Sequence, residues 1–430
     1  MSPRHPHRQH RRLADARGFT LVELLVATVA GLFVVLAAFL RSKGSTRLFA
    51  DENRIGAAQL NLRLGLDRLR SDLTRAGYMS SPNVKLDPDV CPDPNSSGVV
   101  ARLQSVFFQP GGSYAATTPG SSANSLYPDA ITVSGNFAGA DSYLVSSVEP
   151  SPAGGFDIWL QRNFGAMQRL LSQGETGTTQ NVLDATFPQG KMLRLQNPLG
   201  SSQFVVIDTV ALGAVTGGLA PKIHLATSPA VKLVDPANPD KRCGITGYGL
   251  GSTVNAVQFI KYDLRNLAAL APWAYPDGDP LKYDLVRTEV NPDGTEGAPA
   301  GTGGPATPPP QSIVAEYVVD LKFAFTIDEG TLLTGGFREP RMVAYPYNDP
   351  TATAAASDIL AAGGARPQRI RSIRFQVTTR SKDPDRSVAI GDAGSGLLRY
   401  LLPGGPVAQY ARARTDVGEV MLVNQKGLTW

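Results

Sequence analysis

The sequence predicts an α+β protein: one long N-terminal helix, first membrane-spanning and then amphipathic, packed on a large, mainly antiparallel β region. Three observations carry this. Between Phe19 and Leu40 the only ionisable side chain is Glu23, and about 22 residues at about 1.5 Å each make a helix of roughly 33 Å, enough to cross a bilayer core. Ile55, Ala58, Leu62, Leu66, Leu69 and Leu73 then recur at steps of three and four, which is one face of a helix. Beyond Gly77 the chain breaks into short runs rich in β-branched and aromatic residues, bounded by Gly, Pro, Asn and Asp.

Residues 1–18 carry Arg4, Arg8, Arg11, Arg12 and Arg17 against one acid, Asp15. Such a surplus stays on the cytoplasmic side, so the chain beyond Leu40 is expected outside. A cleaved secretory signal shares the basic start, and Leu36-Ala37-Ala38 could serve as its site. That reading leaves Glu23 unexplained. A carboxylate in a membrane helix costs up to a few kcal/mol depending on depth, so it either has a partner or reaches up to the interface.

Gly18-Phe19-Thr20-Leu21-Val22-Glu23-Leu24-Leu25-Val26 resembles the class III signal of type IV pilins and of type II secretion pseudopilins. The resemblance implies that a prepilin peptidase cuts after Gly18 and methylates Phe19 as the new N-terminus, leaving the apolar helix in place. It also implies that Glu23 pairs with the terminal amine of a neighbouring subunit during assembly, which would supply the partner a buried carboxylate needs. The chain then divides into a leader over 1–18, a pilin helix over 19–76 with its transmembrane half at 19–40, and a periplasmic or extracellular β-rich head over 77–430.

After Arg41-Ser42-Lys43-Gly44 the helix is expected to continue to about Arg75. Gly44, Gly56 and Gly65 are its soft points, and Asp51, Glu52, Arg54, Arg63, Asp67, Arg68, Arg70, Asp72 and Arg75 form its solvated face. Gly77 suits the left-handed position after the last turn. Leu66 to Tyr78, a run of acid, Leu and Arg closing on Ala-Gly-Tyr, is similar to the helix ending of PilW-like minor pilins, and Lys191 to Leu195 followed by Gln203 to Val210 resembles their head more loosely.

Strands are expected at 129–134, 142–148, 156–160, 204–210, 257–264, 282–290, 317–325, 370–378 and 416–424. In two of them alternation (Leu321, Phe323 and Phe325 with Lys322 and Ala324; Ile373, Phe375 and Val377 with Arg374 and Gln376) marks one buried face. Asn291 to Gln311 holds Gly294, Gly297, Gly301, Gly303, Gly304 and the triple Pro308-Pro309-Pro310. Such a tract cannot form a core and reads as a loop that enlarges a hairpin or separates two halves. A short helix is expected at Thr351 to Ala362.

Composition narrows the function. Taking five Arg from 41 basic residues and one Asp from 37 acidic ones leaves 36 of each after the leader, so net charge gives no argument for nucleic acid. His5, His7 and His10 lie in the leader. Only His224 remains, expected on a short strand and unable to build a multi-histidine metal site. Cys91 and Cys243 could form a disulfide outside the cytoplasm or stand as independent thiols. Counted from Asp277, the sixth and twelfth positions are Lys282 and Thr288, where a calcium loop needs Gly and Glu. No phosphate loop, zinc spacing or nucleophile elbow is present. Arg369 and Arg371 would project opposite to Arg374 and Arg380, so they form no single nucleic-acid patch.

The expectation is a minor pilin, without enzymatic activity, cofactor or metal, processed by prepilin peptidase in the inner membrane. Its N-terminus would be cytoplasmic and its head periplasmic until it joins other minor pilins and the major pilin in priming or tipping a type IV pilus, the machine of twitching motility and cell adhesion. The alternatives are a J-like minor pseudopilin of type II secretion, or an adhesin or DNA-binding subunit displayed by the pilus.

Overall fold

Helix α1 runs unbroken from Leu21 to Thr74, because no proline interrupts it and its glycines are single. The computed structural model describes residues 20–91, 98–111, 124, 126–172, 179–216, 218–227, 230–237, 239–267, 282–296, 311–330, 339–349, 366–382, 399–402, 409–426 and 428, the side chains of 44–48 and 50–61 excepted. The leader, the helix expected at 351–362, the tract over 297–310, residues 277–281 of the segment weighed for calcium, and the burial of Ile55 and Ala58 lie outside the described residues. The chain divides into two units, residues 1–59 and 60–430.

The second unit begins with the last turns of α1. Leu62, Leu66, Leu69 and Leu73 are buried, the last two completely. They share one core with Val106, Ile131, Ile260, Leu321, Phe323 and Phe375. The helix ends where Gly77 adopts φ +74°, and its N–H donates to the Ser134 carbonyl at 2.8 Å. A Cβ on Gly135 would stand 2.6 Å from the Arg75 carbonyl oxygen, so only glycine allows the strand this close to the helix end.

Ten strands form the first sheet: β1 (Val106–Gln109), β2 (Ala130–Gly135), β3 (Tyr143–Pro150), β4 (Phe156–Leu160), β5 (Met192–Gln196), β6 (Ser202–Val215), β7 (Gly218–Leu225), β8 (Thr253–Arg265), β9 (Asp284–Val290) and β10 (Gln311–Ala315). β8 belongs to two assemblies. Its first half pairs with β3 and β5, and the pairings β8-β3-β4-β7-β6-β5 return to β8, closing a six-stranded ring. Its second half pairs with β2 and β9 in an open sheet ordered β1-β2-β8-β9-β10. Closure leaves the ring no free edge, and a separate apolar core gathers Val145, Ile158, Leu193, Ile207, Ile223 and Phe187. Two short helices, α2 (Gly165–Ser172) and α3 (Thr179–Thr186), set Met167 and Leu183 into that core.

The second sheet is β12-β11-β13-β15-β14, built from β11 (Val318–Asp328), β12 (Met342–Tyr345), β13 (Ile370–Arg380), β14 (Arg399–Leu402) and β15 (Gln409–Met421). Every pairing between strands among the described residues is antiparallel. The coarse prediction of a long apolar helix with a large antiparallel β region therefore describes the molecule. The Gly- and Pro-rich tract connects β9 to its antiparallel neighbour β10, so it spans one hairpin.

Two expectations are corrected. Asp72, placed on the solvated face of α1, is only 4% exposed. Its Oδ2 accepts from Tyr262 Oη at 2.7 Å and Arg287 Nε at 2.6 Å, donors that β8 and β9 bring to the helix. β11 has two buried faces, not one, with Lys322 and Ala324 buried as well as Leu321 and Phe323. The residues around Asp129 lie along the edge of β11, where Asp129 N–H donates to the Leu321 carbonyl at 2.8 Å and Asp129 Oδ2 accepts the Phe323 N–H at 3.1 Å, and they meet its second face where Lys322 Nζ reaches the Tyr127 carbonyl and Asp129 Oδ1. β13 does keep the expected alternation of buried Ile373, Phe375 and Val377 with partly exposed Arg374 and Gln376.

Candidate functional site

The stretch that carries the functional expectation is the start of α1. Leu21–Lys43 is long and apolar enough to cross a membrane, with mean hydropathy 2.5 and none of its most apolar window buried in the protein. Leu21, Leu32, Phe33 and Phe39 are each more than 60% exposed, an apolar surface that water disfavours and lipid or another apolar helix would cover.

Glu23 has a local role at the first turn. Its Oε2 accepts from the Thr20 N–H at 3.1 Å and from Thr20 Oγ1 at 3.0 Å, while the Glu23 N–H donates to Thr20 Oγ1 at 3.2 Å. This is a capping box, which satisfies two of the N–H groups that a helix start leaves without partners. The Thr-x-x-Glu spacing is visible in the sequence, and neither reading of the acid, as an intermolecular partner or as a side chain reaching the interface, includes this role. Both bonds to the carboxylate converge on Oε2; Oε1 takes part in neither. Gly18 and Phe19 lie outside the described residues.

Cys91 and Cys243 are joined in a disulfide with Cα atoms 5.6 Å apart, 152 positions apart in sequence. Both are buried beside the ring core, and Tyr248 Oη lies 3.1 Å from Cys91 Sγ. The bond ties the segment after α1 to the segment before β8. Their sequence separation carried no hint of this closeness.

His224 sits on β7, as its flanking residues indicated. Its neighbours across the strands are acids: Nδ1 lies 2.6 Å from Asp157 Oδ1 on β4, and Nε2 lies 3.9 Å from Asp208 Oδ2 on β6. Lys222 Nζ reaches the other Asp157 oxygen at 3.0 Å. Burial alone would raise the Asp157 pKa, but the hydrogen bonds and charges of His224 and Lys222 outweigh it and hold the carboxyl below its usual range. The group is a cross-strand polar cluster in which Asp157 on β4 and Asp208 on β6 flank the imidazole of His224 on β7. Among the described residues no group of three or more His, Cys, Asp or Glu could hold a metal ion.

The arginines weighed for nucleic acid are tied into the fold. Arg371 donates to the carbonyls of Gln368, Gln425 and Leu428 and pairs with Asp328 at 3.2 Å. Arg380 donates to the carbonyls of Ser381 and Lys382 and stacks over Tyr317 and Tyr400. Arg374 reaches the Tyr345 carbonyl at 3.4 Å, and Arg369 is partly buried. No known protein family, curated protein or solved structure matches the chain.

Proposed function

We propose that the chain is a minor pilin, processed after Gly18 by prepilin peptidase and held in the inner membrane with its β-rich part in the periplasm until it enters a type IV pilus. The observation that carries this reading is the continuity of α1. One helix passes from an exposed apolar stretch with a single acid into turns whose leucines belong to a β core. A secretory signal would be cut away, whereas such a helix keeps a folded domain attached to whatever solvates its apolar end. A lipid bilayer does so first, and the helices of other minor pilins and the major pilin do so next. Glu23 fits the exchange: Oε2 is engaged by Thr20, which leaves Oε1 to accept from the methylated amine of a neighbour. The protein is then a substrate of the peptidase and a structural subunit, performing no covalent chemistry itself.

The test is genetic. Deleting the gene should abolish or sharply reduce surface pili, and complementation with wild type should restore them. Glu23→Ala should insert in the membrane yet fail to restore piliation. Thr20→Val, which removes the hydroxyl of the capping box and keeps the carboxylate, should restore it. Normal pili in the deletion strain, or full rescue by Glu23→Ala, would overturn the proposal.

A further inference from the structure

A cleft of about 500 Å³ opens where the second sheet meets the segment leading into β2, with Tyr127, Asp129, Asp320, Lys322 and Tyr347 in its lining. Its charges do not balance. Asp129 and Asp320 are 1% and 5% exposed, Asp349 also lines the cleft, and among the described residues a single ammonium, Lys322, acts on both buried acids. Lys322 Nζ is spent on Asp129 Oδ1 at 3.4 Å, the Tyr127 carbonyl and Asn348 Oδ1 at 2.7 Å. Asp129 is also satisfied by the N–H groups of Gly111 and Phe323. Asp320 is not: its Oδ1 is buried with no hydrogen-bond partner.

The placement of Asp320 stems from a break in strand register. β11 shifts against β13 between Val318 and Asp320, the kind of bulge that re-aims a side chain. A buried carboxylate oxygen without a donor has lost its hydration with nothing in exchange, which is costly. It is therefore retained where a donor arrives from outside. One donor of charge +1 would satisfy Oδ1 and offset part of the negative charge that Asp129, Asp320 and Asp349 place in the cleft lining. The half-buried rings of Tyr127 and Tyr347 at the rim suit a cation, which is attracted to aromatic faces.

The geometry points to a binding site for a primary ammonium group on a short apolar stem, either a free small amine or a lysine side chain, with Asp320 Oδ1 as its acceptor. A proton competes with that group for the same oxygen. Burial pushes the Asp320 pKa up to about 6; the nearby Asp129 charge adds to this and Lys322 opposes it. The remaining groups facing the cleft are Tyr347 and Asp349 from the segment after β12, while β13 contributes the uncharged Gln376. Below about pH 6 the proton fills the site, so amine binding must weaken on acidification. The site is independent of the filament reading, since it would bind an amine whether or not the chain enters a pilus.

The test is calorimetric titration of the full chain in detergent micelles with n-butylammonium, against n-butanol and butyrate as neutral and anionic counterparts. Binding by the ammonium alone is expected, weakened at least tenfold by Asp320→Asn and about tenfold between about pH 7.5 and pH 5 in the wild type. If Asp320→Asn loses its circular dichroism signature, the wild-type pH series decides. An Nα-acetyl-lysine methylamide probe names the source: tighter binding than n-butylammonium indicates a protein side chain, equal binding a free amine. Equal binding of n-butanol, displacement by equimolar sodium, pH-independent binding or no binding would overturn the assignment.

Discussion

The two ends of α1 use the same residues to opposite effect. Leu32 and Phe39 near its start are 71% and 63% exposed, whereas Leu69 and Leu73 near its end are fully buried. The glycines repeat the contrast. A Cβ on Gly31 would meet nothing within 4 Å, while one on Gly65 would stand 2.3 Å from the Val314 carbonyl oxygen. Composition separates these regions: Glu23 is the only ionisable side chain between Phe19 and Leu40, whereas Arg63, Asp67, Arg68, Arg70 and Asp72 interleave the buried leucines. The apolar residues near the end therefore form a stripe, which suits one packed face, and those near the start surround the helix, which suits a wholly apolar environment. The protein's own β strands cover the stripe, and the exposed apolar side chains near the start have no cover among the described residues.

Substitutions along the helix sharpen that contrast, and the largest effect is expected from a charge in the stripe. Leu73→Asp should cost more than about 4 kcal/mol and unfold the β-rich unit, whereas Leu32→Asp should leave its melting temperature unchanged and reduce membrane insertion; circular dichroism and membrane fractionation read the two outcomes. Equal loss of folding in both variants would break the comparison. Next comes Asp72→Ala, which leaves Arg287 buried without its carboxylate and should cost about 3–5 kcal/mol in denaturant unfolding. Gly65→Ala should destabilise by about 1–3 kcal/mol through overpacking against Val314, while Gly31→Ala should be neutral there and favour the helix by about 1 kcal/mol. The smallest effect is expected at the cap: Thr20→Ala should loosen the first turn by about 1 kcal/mol, seen as faster amide exchange confined to residues near Glu23.

One cross-link lies outside this series. Reducing the Cys91–Cys243 bond, or replacing both residues with Ser, should cost about 2–5 kcal/mol without changing how α1 inserts in a membrane. That would separate the stability of the β-rich unit from the behaviour of the apolar stretch.

Local periodicity made much of the fold legible. The step of three and four located the buried stripe of α1, Gly77 marked its end, and β-branched runs between turn residues located β2, β3, β4, β8 and β13. Short elements escaped: β1, β12 and β14 have four residues each, too few to show a period. The double burial of β11 escaped because its second face is covered by a segment almost 200 positions earlier in the chain. Asp72 escaped for the same reason, since Tyr262 and Arg287 lie 190 and 215 positions away. Of the candidate sites, the stretch apolar enough to cross a membrane was legible from composition. The bare oxygen of Asp320 was not, because it depends on a register shift and on which donors Lys322 has left.

The central claim is that the apolar part of α1 stays on the mature protein after its basic leader is removed. Intact-mass and N-terminal fragment mass spectrometry of the protein purified from its native cells tests this most directly. The account predicts a chain starting at an N-methylated Phe19. A chain still starting at Met1, or one trimmed near Ala38 so that the apolar stretch is lost, would contradict it.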